Sequence, residues 1–309
     1  MYLQEPAFVF PAFANNYTHE AKEALPGLEI RFREMLTLFS EDLARFDFVT
    51  NNFLGDEFLT QVITYAYSCA VSDMLREKGY RAAYVSGFSM GIYSALYHAG
   101  SITYKTGLDL LSKAYHDSVE CLPDETFTMG TVIGLSPSDV NGLVEKYRLP
   151  LEIINQSSPV TITVSGPSAP VRRLLEEAIG EGALKTHILN VSVPYHTHYL
   201  EPVAVSFSVH ARNAAIHPPT IPVLSQIDQR ILHTADDIRE ELVKNLFRHM
   251  NSMNAHETLL SLGVKTFVEC GPGRGMKRNA RFLEGDFRFY HPSELLSESY
   301  LQPEEPPLK

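Results

Sequence analysis

The sequence predicts an α/β protein, with a large parallel-sheet domain interrupted by a small ferredoxin-like one, and three observations point there. Short apolar runs alternate with helix-length segments before residue 126 and again after Pro194. Between them the texture changes to shorter units in the order βαββαβ, enough for a small sheet covered by two helices. Finally, a strand, a Gly-x-Ser-x-Gly turn and an apolar helix meet at Ser89.

Taken in order, Ala7 to Phe10 reads as a buried strand stopped by Pro11, and residues from about His19 to Leu43 recur at helical spacing. The run from Phe58 to Lys78 is apolar nearly all round, which predicts a helix buried against a sheet and closed by Gly79. A strand at Ala82 to Val85 and a helix at Met90 to His98 follow. In the insert, Ser136 and Ser168 stand where N-caps are expected, and Gly180 with Gly182 supply a helix stop. Beyond it come helices around Leu200 to Asn213 and Ala235 to Phe247, a strand in IPVLSQ and another at Lys265 to Cys270. The expected limits are 1–126 with 194–290 for the large domain, 127–193 for the small one, and 291–309 for an acidic, proline-rich peripheral tail.

Bulk composition excludes several classes of function. A chain of 309 residues with 44% hydrophobic content can bury a large core without staples. Cys69, Cys121 and Cys270 are far apart and fall into no ligand spacing, so neither disulfides nor a zinc site is expected. The N-terminal segment lacks the pattern of a signal peptide, and no apolar run is long enough to span a bilayer, so the expectation is a cytoplasmic protein with no membrane role. A net charge of −11 argues against nucleic acid as a partner. The densest basic cluster, Arg274, Lys277, Arg278 and Arg281, is either a local docking patch or a solvated helical face. HExxH spacing and a dinucleotide fingerprint are both absent.

The sharpest motif is Gly87-Phe88-Ser89-Met90-Gly91. In such an elbow the serine sits in a strained turn at the strand tip, the glycines avoid clashes, and the helix points its free N–H groups at the same spot. This gives the large domain an α/β-hydrolase-like character, with Ser89 as nucleophile and the Met90 N–H as an oxyanion donor. A serine needs a base, and histidine is the usual one. Of twelve histidines, His196 in Val193-Pro194-Tyr195-His196-Thr197-His198 follows a rigid proline turn; on its own that motif equally suits a hydrogen-bonded loop histidine.

Together these residues resemble the malonyl-CoA:acyl-carrier-protein transacylase family, including the acyltransferase domains of polyketide synthases, from about Phe8 to Arg281. The resemblance rests on the order of motifs: Phe8-Val9-Phe10-Pro11, Thr60-Gln61, Ser86 to Ala95, Pro194-Tyr195-His196, Leu242 to Leu246, and Glu269-Cys270-Gly271-Pro272-Gly273. It implies that Ser89 attacks an acyl-CoA thioester, His196 takes its proton, and the acyl group passes to the phosphopantetheine thiol of an acyl carrier protein, with no bound cofactor and no metal. It further implies a second oxyanion donor in the main-chain N–H of Phe13, a backbone carbonyl near Asn245 that orients the histidine, and an acyl pocket that includes Gln61, Phe88 and Ala114.

The departures bear on the substrate. Where the family holds the malonyl carboxylate with an arginine, an ungapped count arrives at Ala114, and no arginine occurs from Gly87 to Glu145. A buried carboxylate without a cation costs several kcal/mol, so malonyl binding should be weak unless Lys113 or His116 supplies the charge. Phe88 and Ile92 replace further polar positions. An uncharged acyl group is the expected substrate. The alternatives are an acyl-carrier-protein thioester hydrolase of the same family, or a non-catalytic carrier-docking subunit.

Overall fold

The computed structural model describes residues 5–23 and 25–296. Its strands are β1 (Ala7–Phe10), β2 (Tyr84–Gly87), β3 (Phe127–Ile133), β4 (Glu152–Ser158), β5 (Thr161–Pro167), β6 (Lys185–Leu189), β7 (Val223–Leu224), β8 (Ile231–Leu232), β9 (Thr266–Glu269) and β10 (Arg288–Tyr290). The helices are α1 (Thr18–Glu23), α2 (Pro26–Thr37), α3 (Glu57–Glu77), α4 (Gly91–His98), α5 (Tyr104–Cys121), α6 (Pro137–Tyr147), α7 (Ser168–Gly180), α8 (Glu201–Asn213), α9 (Ala235–Phe247), α10 (Ser252–Ser261), α11 (Gly275–Asn279) and α12 (Pro292–Leu296).

Six strands form one sheet in the order β10-β9-β1-β2-β7-β8, parallel except for the final β7–β8 pair. All four residues of β1 are buried because both faces of the sheet are covered. Phe8 and Phe10 join the core formed with α3 and α4, while Ala7 and Val9 join the one formed with Leu259 and Phe267. That double burial is why AFVF is uniformly apolar rather than alternating. In α3, Asp56 caps the first turn through Leu59 N–H at 2.9 Å, and every residue from Thr60 to Ser72 is buried. Gly79, at φ +85°, then turns the chain out of the helix.

The other four strands form a wholly antiparallel sheet, β4-β5-β3-β6, in the strand order of a ferredoxin-like unit. Helices α6 and α7 close one face over Val132, Val140, Val164 and Leu174. Ser136 caps α6 through a reciprocal box with Asp139. Strand β4 is stitched to the segment leading into α10: Met250 N–H donates to the Ile154 carbonyl at 2.8 Å, and Ser252 donates to Asn155 Oδ1 from both its N–H and its hydroxyl. This seam sets the small sheet beside the C-terminal edge of the large one.

Some expectations need correction. The helical stretch from His19 to Leu43 is α1, α2 and a 3-10 turn (Leu43–Arg45), because Pro26 starts a new helix instead of continuing the old one. Ser168 is the first residue of α7 rather than its cap; Pro167 holds the cap position, without a side-chain bond. The tail begins with a packed helix, since Leu295 and Leu296 of α12 are buried in the main core; residues 297–309 lie outside the described residues. Among the described residues, no helix is long and apolar enough to cross a membrane, and no group of side chains could hold a metal ion.

Candidate active site

Strand β2 ends at Gly87, and the chain turns so tightly into α4 that Ser89 is held at φ +52°. For a residue with a side chain this left-handed conformation costs roughly 1–2 kcal/mol. Neighbouring backbone makes the turn possible only with glycines. A Cβ on Gly87 would lie 2.3 Å from the Ile92 backbone, and one on Gly91 would lie 2.3 Å from the Phe10 carbonyl oxygen. Phe88 N–H donates to that same carbonyl at 2.8 Å, which pins the elbow to the tip of β1.

The imidazole of His196 faces this serine. Ser89 Oγ lies 2.8 Å from His196 Nε2. His196 itself adopts φ +67°, and its N–H donates to the Leu246 carbonyl at 2.7 Å, so the loop after Pro194 is anchored on the end of α9. On the far side of the ring, Nδ1 stands 3.2 Å from the carbonyl oxygen of Arg248. A carbonyl can only accept, so Nδ1 carries the proton and Nε2 is left to accept from the serine hydroxyl. Burial pushes the His196 pKa down to about 4; the Arg248 carbonyl opposes this and the neighbouring His249 adds to it. The ring is therefore neutral at pH 7 and able to take a proton.

The carbonyl facing Nδ1 corrects the expectation placed on Asn245. Asn245 lies in the last turn of α9, and the next carbonyl, that of Leu246, takes the His196 N–H; the carbonyl that meets Nδ1 belongs to Arg248, where the backbone has left the helix for an extended conformation. Asn245 meets the other partner instead, its side-chain amide approaching the Ser89 carbonyl oxygen at 3.4 Å.

Ser89 opens into a small cavity of about 20 Å³ lined by Phe13, Gln61, Met90, Tyr93, Ala114 and Tyr195, with Leu111, Asn245 and Leu246 completing the wall. Gln61 and Ala114 thus lie where the acyl pocket was expected, and Gln61 Nε2 approaches the Tyr195 hydroxyl at 3.4 Å. The N–H groups of Met90 and Phe13 have no acceptor among the described residues, leaving both able to serve an oxyanion. Phe88 does not line this cavity. The elbow turns its side chain into a larger one of about 410 Å³, between the C-terminal edge of the sheet and α10 and α11, which also reaches Phe13. Gln226 Oε1 and His256 Nε2, on two residues that line the larger cavity, are buried without a partner among the described residues.

No lysine or arginine lines the small cavity. Lys113 pairs with Asp117 at 2.6 Å one turn along α5, and His116 is exposed with its Nδ1 on the Ser112 carbonyl. The basic cluster near α11 is half tied up: Arg274 pairs with Glu23 and Lys277 with Glu294, while Arg278 and Arg281 are exposed. Sequence reasoning missed the Arg248 carbonyl, for which no side chain could signal, and Tyr195, which the Pro-Tyr-His motif contained but left without a role.

Comparison with known proteins supplies the relatives of this arrangement. A malonyl CoA-acyl carrier protein transacylase of Escherichia coli is 28% identical over 224 residues, covering 72% of each chain. The Bacillus subtilis transacylase is 27% identical over 210 residues, 67% of this chain and 66% of that protein. The chain is a relative of the malonyl-CoA:acyl-carrier-protein transacylases. Solved structures of such transacylases agree over nearly the whole fold. The enzyme from Coxiella burnetii has a TM-score of 0.84 at 25% identity, covering 95% of this chain and 96% of that one. A malonyl-transacylase solved with a type II polyketide synthase acyl-carrier protein has 0.83 at 26%, covering 93% and 96%. The acyltransferase domain of a salinomycin polyketide synthase shares the fold, with a TM-score of 0.77 at 22% identity over 94% of this chain and 71% of that one. No family model matches.

Proposed function

We propose that this chain is a serine acyltransferase that moves an uncharged acyl group from acyl-CoA, through acyl-Ser89, to the phosphopantetheine thiol of an acyl carrier protein. The single observation that carries the choice of acyl group is the absence of any cation around the cavity beside Ser89, with Ala114 where the family's arginine was expected. A malonyl carboxylate enclosed there would lose its water without gaining a charged partner.

In this reading Ser89 Oγ attacks the thioester carbonyl while His196 Nε2 takes the hydroxyl proton. The oxyanion so formed faces the N–H groups of Met90 and Phe13. Collapse of the intermediate breaks the carbon–sulfur bond, and His196 returns the proton to the departing CoA sulfur. The carrier's thiol then repeats these steps in reverse, leaving Ser89 free. The large cavity beside Phe88 has room for the pantetheine arm. A non-catalytic role fits less well, because a scaffold has no use for two strained residues whose side chains meet. Transfer is tested against hydrolysis by giving the acylated protein a holo carrier protein in water. Acyl-carrier product supports the proposal; free acid alone would make the chain a hydrolase.

A further inference from the structure

Glu152 is the first residue of β4 on the small sheet, yet its carboxylate reaches two loops of the large one. Oε1 accepts the main-chain N–H of His198 at 3.1 Å and lies 2.5 Å from Nδ1 of the same residue. Oε2 lies 2.6 Å from His249 Nε2. His198 stands two residues after His196, and His249 directly follows Arg248, whose carbonyl accepts the hydrogen bond from His196 Nδ1–H. A single side chain therefore grips both chain segments whose separation sets the bond that orients the imidazole. The seam at residues 250–252 already fixes one of these segments to β4; Glu152 adds the other.

We infer that Glu152 is a positioning residue for His196, holding the His196 loop and the Arg248 carbonyl in register from the small sheet. In serine–histidine pairs whose imidazole meets a carboxylate directly, that acid sets tautomer and orientation. Here a backbone carbonyl sets the tautomer, and the carboxylate acts one step out by fixing the distance. Burial works against a charged Glu152, but the His249 and His198 contacts outweigh it and hold its pKa down to about 2, so it remains an acceptor throughout the neutral range. Both imidazoles then donate from the nitrogens that face it.

The inference rests on the assignment of His196 as base to Ser89, so its test must separate the two. The rate at which a fluorophosphonate modifies Ser89 reports the serine–histidine pair without depending on acyl preference. Relative to the unmodified protein, Glu152→Ala should lower the maximal modification rate about tenfold, with little change in the probe concentration giving half that rate. In a His196→Ala background the same substitution should have no further effect, because the group it positions is gone. An equal loss in both backgrounds, or no loss with His196 present, would overturn the role of Glu152. Should Glu152→Ala fail to fold, Glu152→Gln keeps the side-chain shape while one of its two acceptors becomes a donor; it should show a smaller loss that again vanishes without His196, and no loss would also overturn the role. A rate in the unmodified protein that is indifferent to His196 would instead remove the Ser89–His196 assignment itself.

Discussion

Ser89 and His196 meet at 2.8 Å, and both hold left-handed backbone conformations, at φ +52° and +67°. Neither is a glycine, so each stores strain that the folded surroundings must sustain. Two strained residues 107 positions apart, joined by one hydrogen bond, mark where the fold gives up stability for geometry.

The strain can be measured at Ser89. Ser89→Ala and Ser89→Gly both remove the hydroxyl, and both should abolish acylation. They differ in backbone freedom, so the glycine variant should be the more stable by about 1 kcal/mol in denaturant unfolding. Equal stabilities would mean the turn is unstrained.

The elbow glycines should tolerate no side chain. Gly91→Ala would drive a methyl into the Phe10 carbonyl, and Gly87→Ala into the Ile92 backbone. Rigid backbone cannot give way as a side chain can, so each should cost about 3 kcal/mol or more, read as a fall in the denaturation midpoint.

Acylation should resist mild acid. A base works only while unprotonated, and burial lowers the His196 pKa to about 4. The acylation rate should therefore hold as pH falls through 6.5 and decline only near 4, whereas an ordinary histidine would have lost half its activity by about 6.5. A half-loss near 6.5 would show that His196 is not desolvated in the working protein.

Adding a cation should change the choice of acyl group. Ala114→Arg places a guanidinium at the wall of the cavity beside Ser89, and malonyl loading relative to acetyl should rise at least about tenfold. If the ratio stays unchanged, the wall at Ala114 does not decide selectivity.

Much of this was legible in the sequence because local chemistry and global architecture agreed. Glycines flanking Ser89 demanded a tight turn, and the continuous apolar run of α3 demanded burial. The βαββαβ order also announces the small sheet. Contacts made by the main chain or across the two sheets left no such mark. The Arg248 carbonyl is chosen by where α9 ends, not by its side chain, and Asn245 was favoured because a motif names residues rather than free backbone groups. Glu152 is separated by 46 and 97 positions from the two histidines it holds, and nothing in its own segment distinguishes it from a solvated strand terminus. Phe88 neighbours the nucleophile in sequence, which points it to the acyl pocket, but the elbow sends adjacent side chains into different cavities.

Ser89 should become acylated by an uncharged group. The most direct test is intact-protein mass spectrometry after brief exposure to equimolar acetyl-CoA and malonyl-CoA, with peptide mapping to locate the added mass. A predominant acetyl increment is expected on the peptide containing Ser89, absent in Ser89→Ala and strongly slowed in His196→Ala. A predominant malonyl increment at Ser89, or an acyl group carried elsewhere on the chain, would contradict this.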